Sequence, residues 1–178
     1  YLTNVDGILF FQASDGVHGR ELWKSNGTEA GTVMVKDILT TGTSHPLHLT
    51  DVNGTLYFSA NDGANGRELW KSNGTEAGTV MVRDIYPGFS ASDPEELTAV
   101  GNYLFFTAED GSTGRELWKS DGTEGGTSRV ADIWELTQGS DPQYLTQLNM
   151  MVMFSADNGM DGREPVSYTH LTLPTNRE

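Results

Sequence analysis

The chain has 178 residues, 36% of them hydrophobic, and 25 acidic against 11 basic side chains leave a net charge of −14 at neutral pH. Such a charge repels phosphate backbones and anionic lipid, which argues against nucleic acid or a membrane surface as a partner, and no apolar run approaches the ~20 residues of a membrane span. With no cysteine, disulfides and thiolate metal sites are excluded.

The chain opens on two apolar runs within residues 2–11, and the same pattern returns at 49–58 and 97–106. Each copy then runs through a glycine-rich turn into one heptapeptide, at 19–25, 66–72 and 114–120, whose Trp23, Trp70 and Trp118 are spaced by 47 and 48 residues. A Ser-Asn/Asp-Gly-Thr turn follows, and each copy closes on Asp-Ile at Asp37, Asp84 and Asp132. Residues 47–85 show the unit. A short strand at 49–52 meets Asn53-Gly54, the strongest short hairpin signal; further strands are predicted at 55–60, 67–71 and 80–85, separated by turns rich in glycine. Second strands such as Tyr103-Leu104-Phe105-Phe106 are apolar on both faces, which suits a sheet stacked between neighbours.

Four antiparallel strands per repeat of this length predict an all-β fold, a β-propeller-type array of four-stranded blades. Blade 1 falls in residues 1–38, a crossover and blade 2 in 39–85, a crossover and blade 3 in 86–133, and a partial fourth blade in 134–164. The chain starts in mid-repeat, so it reads as about three and a half blades of a longer protein, and further blades of that protein are expected partners. After Gly162-Arg163-Glu164 the repeat demands Leu-Trp-Lys-Ser, but the chain continues with Pro165, and residues 166–175 resemble the in-frame translation of a sequencing adaptor. Residues 165–178, His170 included, are therefore set aside as a non-native tail. In an up-and-down blade, the crossovers and the loops between second and third strands emerge on one face, and the Asn-Gly and Ser-Asn-Gly-Thr turns on the other.

At residues 21–28 and most fully at Glu116-Leu117-Trp118-Lys119-Ser120-Asp121-Gly122-Thr123, the chain resembles the ELWxxDGT repeat family, over about residues 1–164. Asn26 and Asn73 depart from the motif's aspartate. The resemblance implies a bacterial protein that is exported or attached to the cell surface, folded as a propeller, and supplies no catalytic residues.

Residues present in every copy read as scaffold. The pairs Arg20/Glu21, Arg67/Glu68 and Arg115/Glu116 open each third strand, where each arginine is placed to meet a carbonyl or carboxylate of a neighbouring strand or blade. Trp23, Trp70 and Trp118 read as core wedges between blades, and Asp37, Asp84 and Asp132 as groups bracing the loops that follow them. Asp15, Asp62 and Asp110, in the second hairpins, are weak calcium candidates, since an aspartate in an Asp-Gly turn ordinarily bonds its own backbone and calcium needs six to eight oxygens. No other cofactor is expected.

Ligand recognition is sought where the copies differ, at His45, Tyr86, Phe89, Trp134 and Glu135 on the crossovers, because loop aromatics beside acidic groups suit a glycan or protein ligand. The competing reading makes Tyr86 and Trp134 plugs between blades. The function expected is a non-enzymatic binding module; the alternatives are a fragment of a propeller hydrolase or lyase acting on glycans, or a purely structural spacer.

Overall fold

The computed structural model describes residues 2–134 and 138–169, and every regular element within them is a strand. β1 (Leu2–Val5), β2 (Ile8–Ala13), β3 (Glu21–Ser25) and β4 (Val33–Lys36) form the first sheet; β5 (Leu47–Val52), β6 (Thr55–Asn61), β7 (Arg67–Ser72) and β8 (Val80–Arg83) form the second. The third holds β9 (Glu95–Val100), β10 (Tyr103–Glu109), β11 (Arg115–Ser120) and β12 (Ser128–Arg129), and the fourth β13 (Gln143–Leu148), β14 (Met151–Asp157) and β15 (Arg163–Thr169). Strands pair in chain order and antiparallel, and β1, β5, β9 and β13 touch in succession. The sheets are thus stacked blades of a β-propeller-type array, with these four strands innermost.

Alternation along the strands builds the core. Leu56, Phe58 and Ala60 of β6, with Trp70 of β7, pack against Phe10, Leu22 and Val35 of the first blade, whereas the intervening Tyr57, with Leu69 and Val82, packs against the third. Both faces of the middle sheets are therefore buried. Trp70 and Trp118 each face the blade before their own. Trp70 and Trp118 are buried accordingly, while Trp23, with no described blade before it, is only half-buried.

The fourth sheet continues past the boundary that sequence alone placed at residue 164. Residues 165–169 extend β15 along β14, with Ser155 opposite Pro165 and Val152 opposite Tyr168. Tyr168 stands where the other blades carry Ser25, Ser72 and Ser120; its ring is buried and meets Phe105 edge-on at 5.7 Å between centroids. That contact and alternating strand geometry hold the segment in the sheet. Residues 170–178, with His170, lie outside the described residues.

Candidate functional site

Glutamate at the start of each third strand fixes the crossover that follows. Glu21, Glu68 and Glu116 have no solvent exposure, a state that a carboxylate tolerates only when its oxygens are well bonded. The Oε2 atom of Glu68 accepts from the Ile85 N–H at 3.0 Å and the Ser92 hydroxyl at 2.6 Å, and Oε1 accepts from the Ser92 N–H at 3.1 Å. Glu21 bonds Ile38 and Ser44 in the same way, and Glu116 bonds Ile133 and Ser140. Crossovers of different sequence thus leave and re-enter the sheets at the same two anchor points.

The second hairpin lies against the same crossover. Gly66 has φ +69°, and a Cβ there would collide with the Ser90 carbonyl; Gly114 is held equally close to Gly139. Glycine is needed here on both counts, for the positive φ and for the close backbone approach. Crossovers and second hairpins therefore share one face, the arrangement expected from an up-and-down blade.

Arginines support this face from the axial side. Arg67 Nη1 donates to the His45 carbonyl at 2.7 Å and Arg115 Nη1 to the Asp93 carbonyl at 2.8 Å, while Arg20 is exposed. Asp37, Asp84 and Asp132 brace far less than the glutamates. Gly88 N–H reaches Asp84 Oδ2 only at 3.4 Å, Arg129 lies 3.8 Å from Asp132, and Oδ1 of all three aspartates is buried without a hydrogen-bond partner.

In the hairpins, Asp15 Oδ1 accepts from the Val17 and His18 N–H groups, Asp62 from Ala64 and Asn65, and Asp110 from Ser112 and Thr113. Bonds from the His18 and Val17 backbone and the His18 ring hold Asp15 far below the usual carboxylate range, and Asp15 in turn raises His18. Burial pushes Asp62 and Asp110 up, but the bonds they accept outweigh it and leave both lowered. One oxygen of each carboxylate is thus committed to its own turn, and among the described residues no three acidic or histidine side chains converge as a metal site would require.

Of the crossover residues picked out for ligand recognition, Phe89 is 87% exposed and His45 is exposed. Tyr86 and Trp134 are half-buried, their rings seated where a Cβ on Gly111 or Gly159 of the next blade would lie; Leu39 occupies the matching place over Gly63. Glu135 lies outside the described residues. The opposite face is built from the repeat itself: Asn26, Asn73 and Asp121 each accept from the N–H and hydroxyl of the threonine two residues on. A single oxygen does this work, so asparagine and aspartate are equivalent there.

The structure adds positions that sequence reading missed. The innermost strands β5, β9 and β13 each carry a bulge, and at each bulge one non-glycine residue takes positive φ: His48 at 56°, Glu96 at 55° and Tyr144 at 60°. These residues are equivalent by register yet differ in every copy. They lie at the axial entrance on the crossover face, beside Glu95, whose carboxylate is 3.8 Å from Arg115. Burial lowers the His48 pKa against the pull of Glu95 and Glu96. Glu96 Oε2 accepts from the Leu145 N–H at 3.0 Å, reaching the next blade, and Tyr144 is 73% exposed. The signal was present in the sequence as the variable pair between each crossover proline (Pro46, Pro94, Pro142) and the leucine that follows. What hid it was the bulge, which aims a residue that strict alternation would assign to a blade face.

No protein-family model and no curated protein matches the chain. Among solved structures it is similar to puromycin hydrolase, with a TM-score of 0.66 and 12% identity over 98% of this chain and 29% of that one. It is also similar to a serine-to-alanine mutant of puromycin hydrolase complexed with PGG, with a TM-score of 0.65 and 14% identity over 95% of this chain and 27% of that one. The chain spans less than a third of the length of either protein, and at these identities the likeness shows the fold, an array of propeller blades.

Proposed function

We propose that the chain is a non-enzymatic binding module of the ELWxxDGT repeat class, part of an exported or cell-surface bacterial protein, that takes a glycan or protein segment on its crossover face. One observation carries this reading. The residues that differ between copies, Phe89 and His45 on the crossovers and His48, Glu95 and Tyr144 at the axial entrance, stand on the same face, above a frame of buried glutamates that repeats in all three complete blades. A rigid frame under variable polar and aromatic side chains is how binding loops achieve recognition at low ordering cost.

Glycan-array and pull-down measurements test it. Phe89→Ala and Tyr144→Ala are expected to weaken capture at least ~10-fold, as for exposed aromatic anchors, while Asn26→Ala and Asn73→Ala on the opposite face leave it unchanged. Capture abolished by the turn variants and untouched by the rim variants would put the ligand on the other face. Turnover of a captured glycan would replace the binding module with a hydrolase or lyase.

A further inference from the structure

Loops on the crossover face carry the most exposed apolar side chains among the described residues. Met160, Phe89 and Val17 are 91%, 87% and 81% exposed, above every other large apolar residue there. Phe89 stands on the crossover between blades 2 and 3, and Val17 and Met160 stand at the tips of the second hairpins of blades 1 and 4. The matching tips of blades 2 and 3 carry Ala64 and Ser112, so this position differs in every copy, as the crossovers do. Ala64 and Ser112 are exposed even though Leu39 and Tyr86 of the preceding crossovers seat on the glycines beside them, Gly63 and Gly111. Exposure at the tip therefore belongs to the position, whatever blade precedes it. The charge of this face is equally one-sided. Nζ of Lys24, Lys36 and Lys71 donates to the Gly74, Thr79 and Gly122 carbonyls at the turns of the opposite face, and Nη1 of Arg67 and Arg115 is held by the His45 and Asp93 carbonyls. The Asp93 and Glu95 side chains are more than half exposed, and their carboxylates lie 3.9 and 3.8 Å from those two arginines, too far for a hydrogen bond.

Resting on the crossover-face reading above, we propose that the ligand is a basic protein segment that also carries apolar side chains. Its ammonium or guanidinium groups pair with Asp93 and Glu95 beside the axis, and its apolar groups pack on Phe89 and on the hairpin tips. The exposed apolar residues favour protein over glycan. A sugar ring is held by a flat aromatic face and by hydrogen bonds to its hydroxyls; valine and methionine offer neither, whereas aliphatic and thioether surface adapts to the side chains of a protein. Charge complementarity fixes the sign. A chain of net charge −14 draws in a cation-bearing partner and repels an acidic one.

Panning short random peptides displayed on phage against the chain tests this chemistry. Enrichment of Lys or Arg together with Leu, Met or Phe is expected, with the Kd of a selected synthetic peptide rising at least ~5-fold between about 50 and about 300 mM salt. Phe89→Ser and Met160→Ser should each weaken that peptide at least ~5-fold. Asp93→Asn combined with Glu95→Gln should flatten its salt dependence, and Asn73→Ala on the opposite face should leave its affinity unchanged. Neutral or acidic peptides enriched instead, or an affinity indifferent to salt, overturns the proposal. So does a glycan captured through Phe89 while no peptide is enriched, a result that leaves the binding module standing. Capture of neither, or capture lost only in Asn73→Ala, overturns both readings.

Discussion

Glu68 has no exposure and sits among hydrogen-bond donors, which makes its protonation state a structural variable. Burial pushes its pKa up to about 7 against the bonds from Ser92, Ile85 and Tyr86, and burial likewise raises Glu116. An acid raised from 4.5 in this way binds more protons folded than unfolded between the two values. Its contribution to stability is therefore whole below about pH 4.5 and is lost as pH rises through about 7. Asp62 and Asp110 are lowered, so their contribution is present above the ordinary carboxylate range and is lost as pH falls through the folded value. Stability should peak at about pH 4 to 4.5 and fall by on the order of 2 kcal/mol between about pH 5 and about pH 8. Urea denaturation across that range checks the sign, and Glu68→Gln should flatten the slope. Stability that climbs steadily from pH 5 to pH 8 would contradict the assignment.

Within one blade, the turns divide by what they demand of the chain. The Ser-Asn-Gly-Thr turn asks position 73 for a single acceptor oxygen, which bonds the Thr75 N–H at 3.0 Å and hydroxyl at 2.7 Å. Asn73→Asp is accordingly expected to change stability by less than ~0.5 kcal/mol, and Asn73→Ala to cost about 1 kcal/mol through the lost bonds. The second hairpin asks for more. Gly66→Ala meets both a positive φ and the backbone of Ser90, so a loss of at least ~2 kcal/mol is expected. Thermal melts of the three variants order them, and a Gly66→Ala protein as stable as the parent would show that the crossover is free to move.

Across the molecule, the same tryptophan has different energetic weight at different blades. Trp70 is 6% exposed between two blades, and Trp70→Ala should cost ~3–5 kcal/mol as a lost core aromatic. Trp23 faces no described blade and is only half-buried, so Trp23→Ala should cost less than about half as much. Equal losses at the two positions in chemical denaturation would mean that stability does not propagate through blade interfaces as in a repeat array.

Periodicity by itself determined the blades. Recurrent Trp, paired apolar runs and Asn-Gly turns specify four strands and their order, because hairpin chemistry and alternation are local. The locations of Phe89 and His45 on the crossover face followed from the same topology. Only the tertiary structure decided the rest. Glu68 and Ser92 lie 24 residues apart in sequence, so no local pattern reveals that the invariant glutamate, and not Asp84, anchors the crossover. His48, Glu96 and Tyr144 escape a period-two reading because the bulges break it. The strand through residues 165–169 was lost to sequence reading because Pro165 and Tyr168 depart from the motif. In the fold, pairing with β14 and the packing of Tyr168 on Phe105 outweigh that departure, since a sheet holds whatever backbone completes its ladder and fills its neighbour's surface.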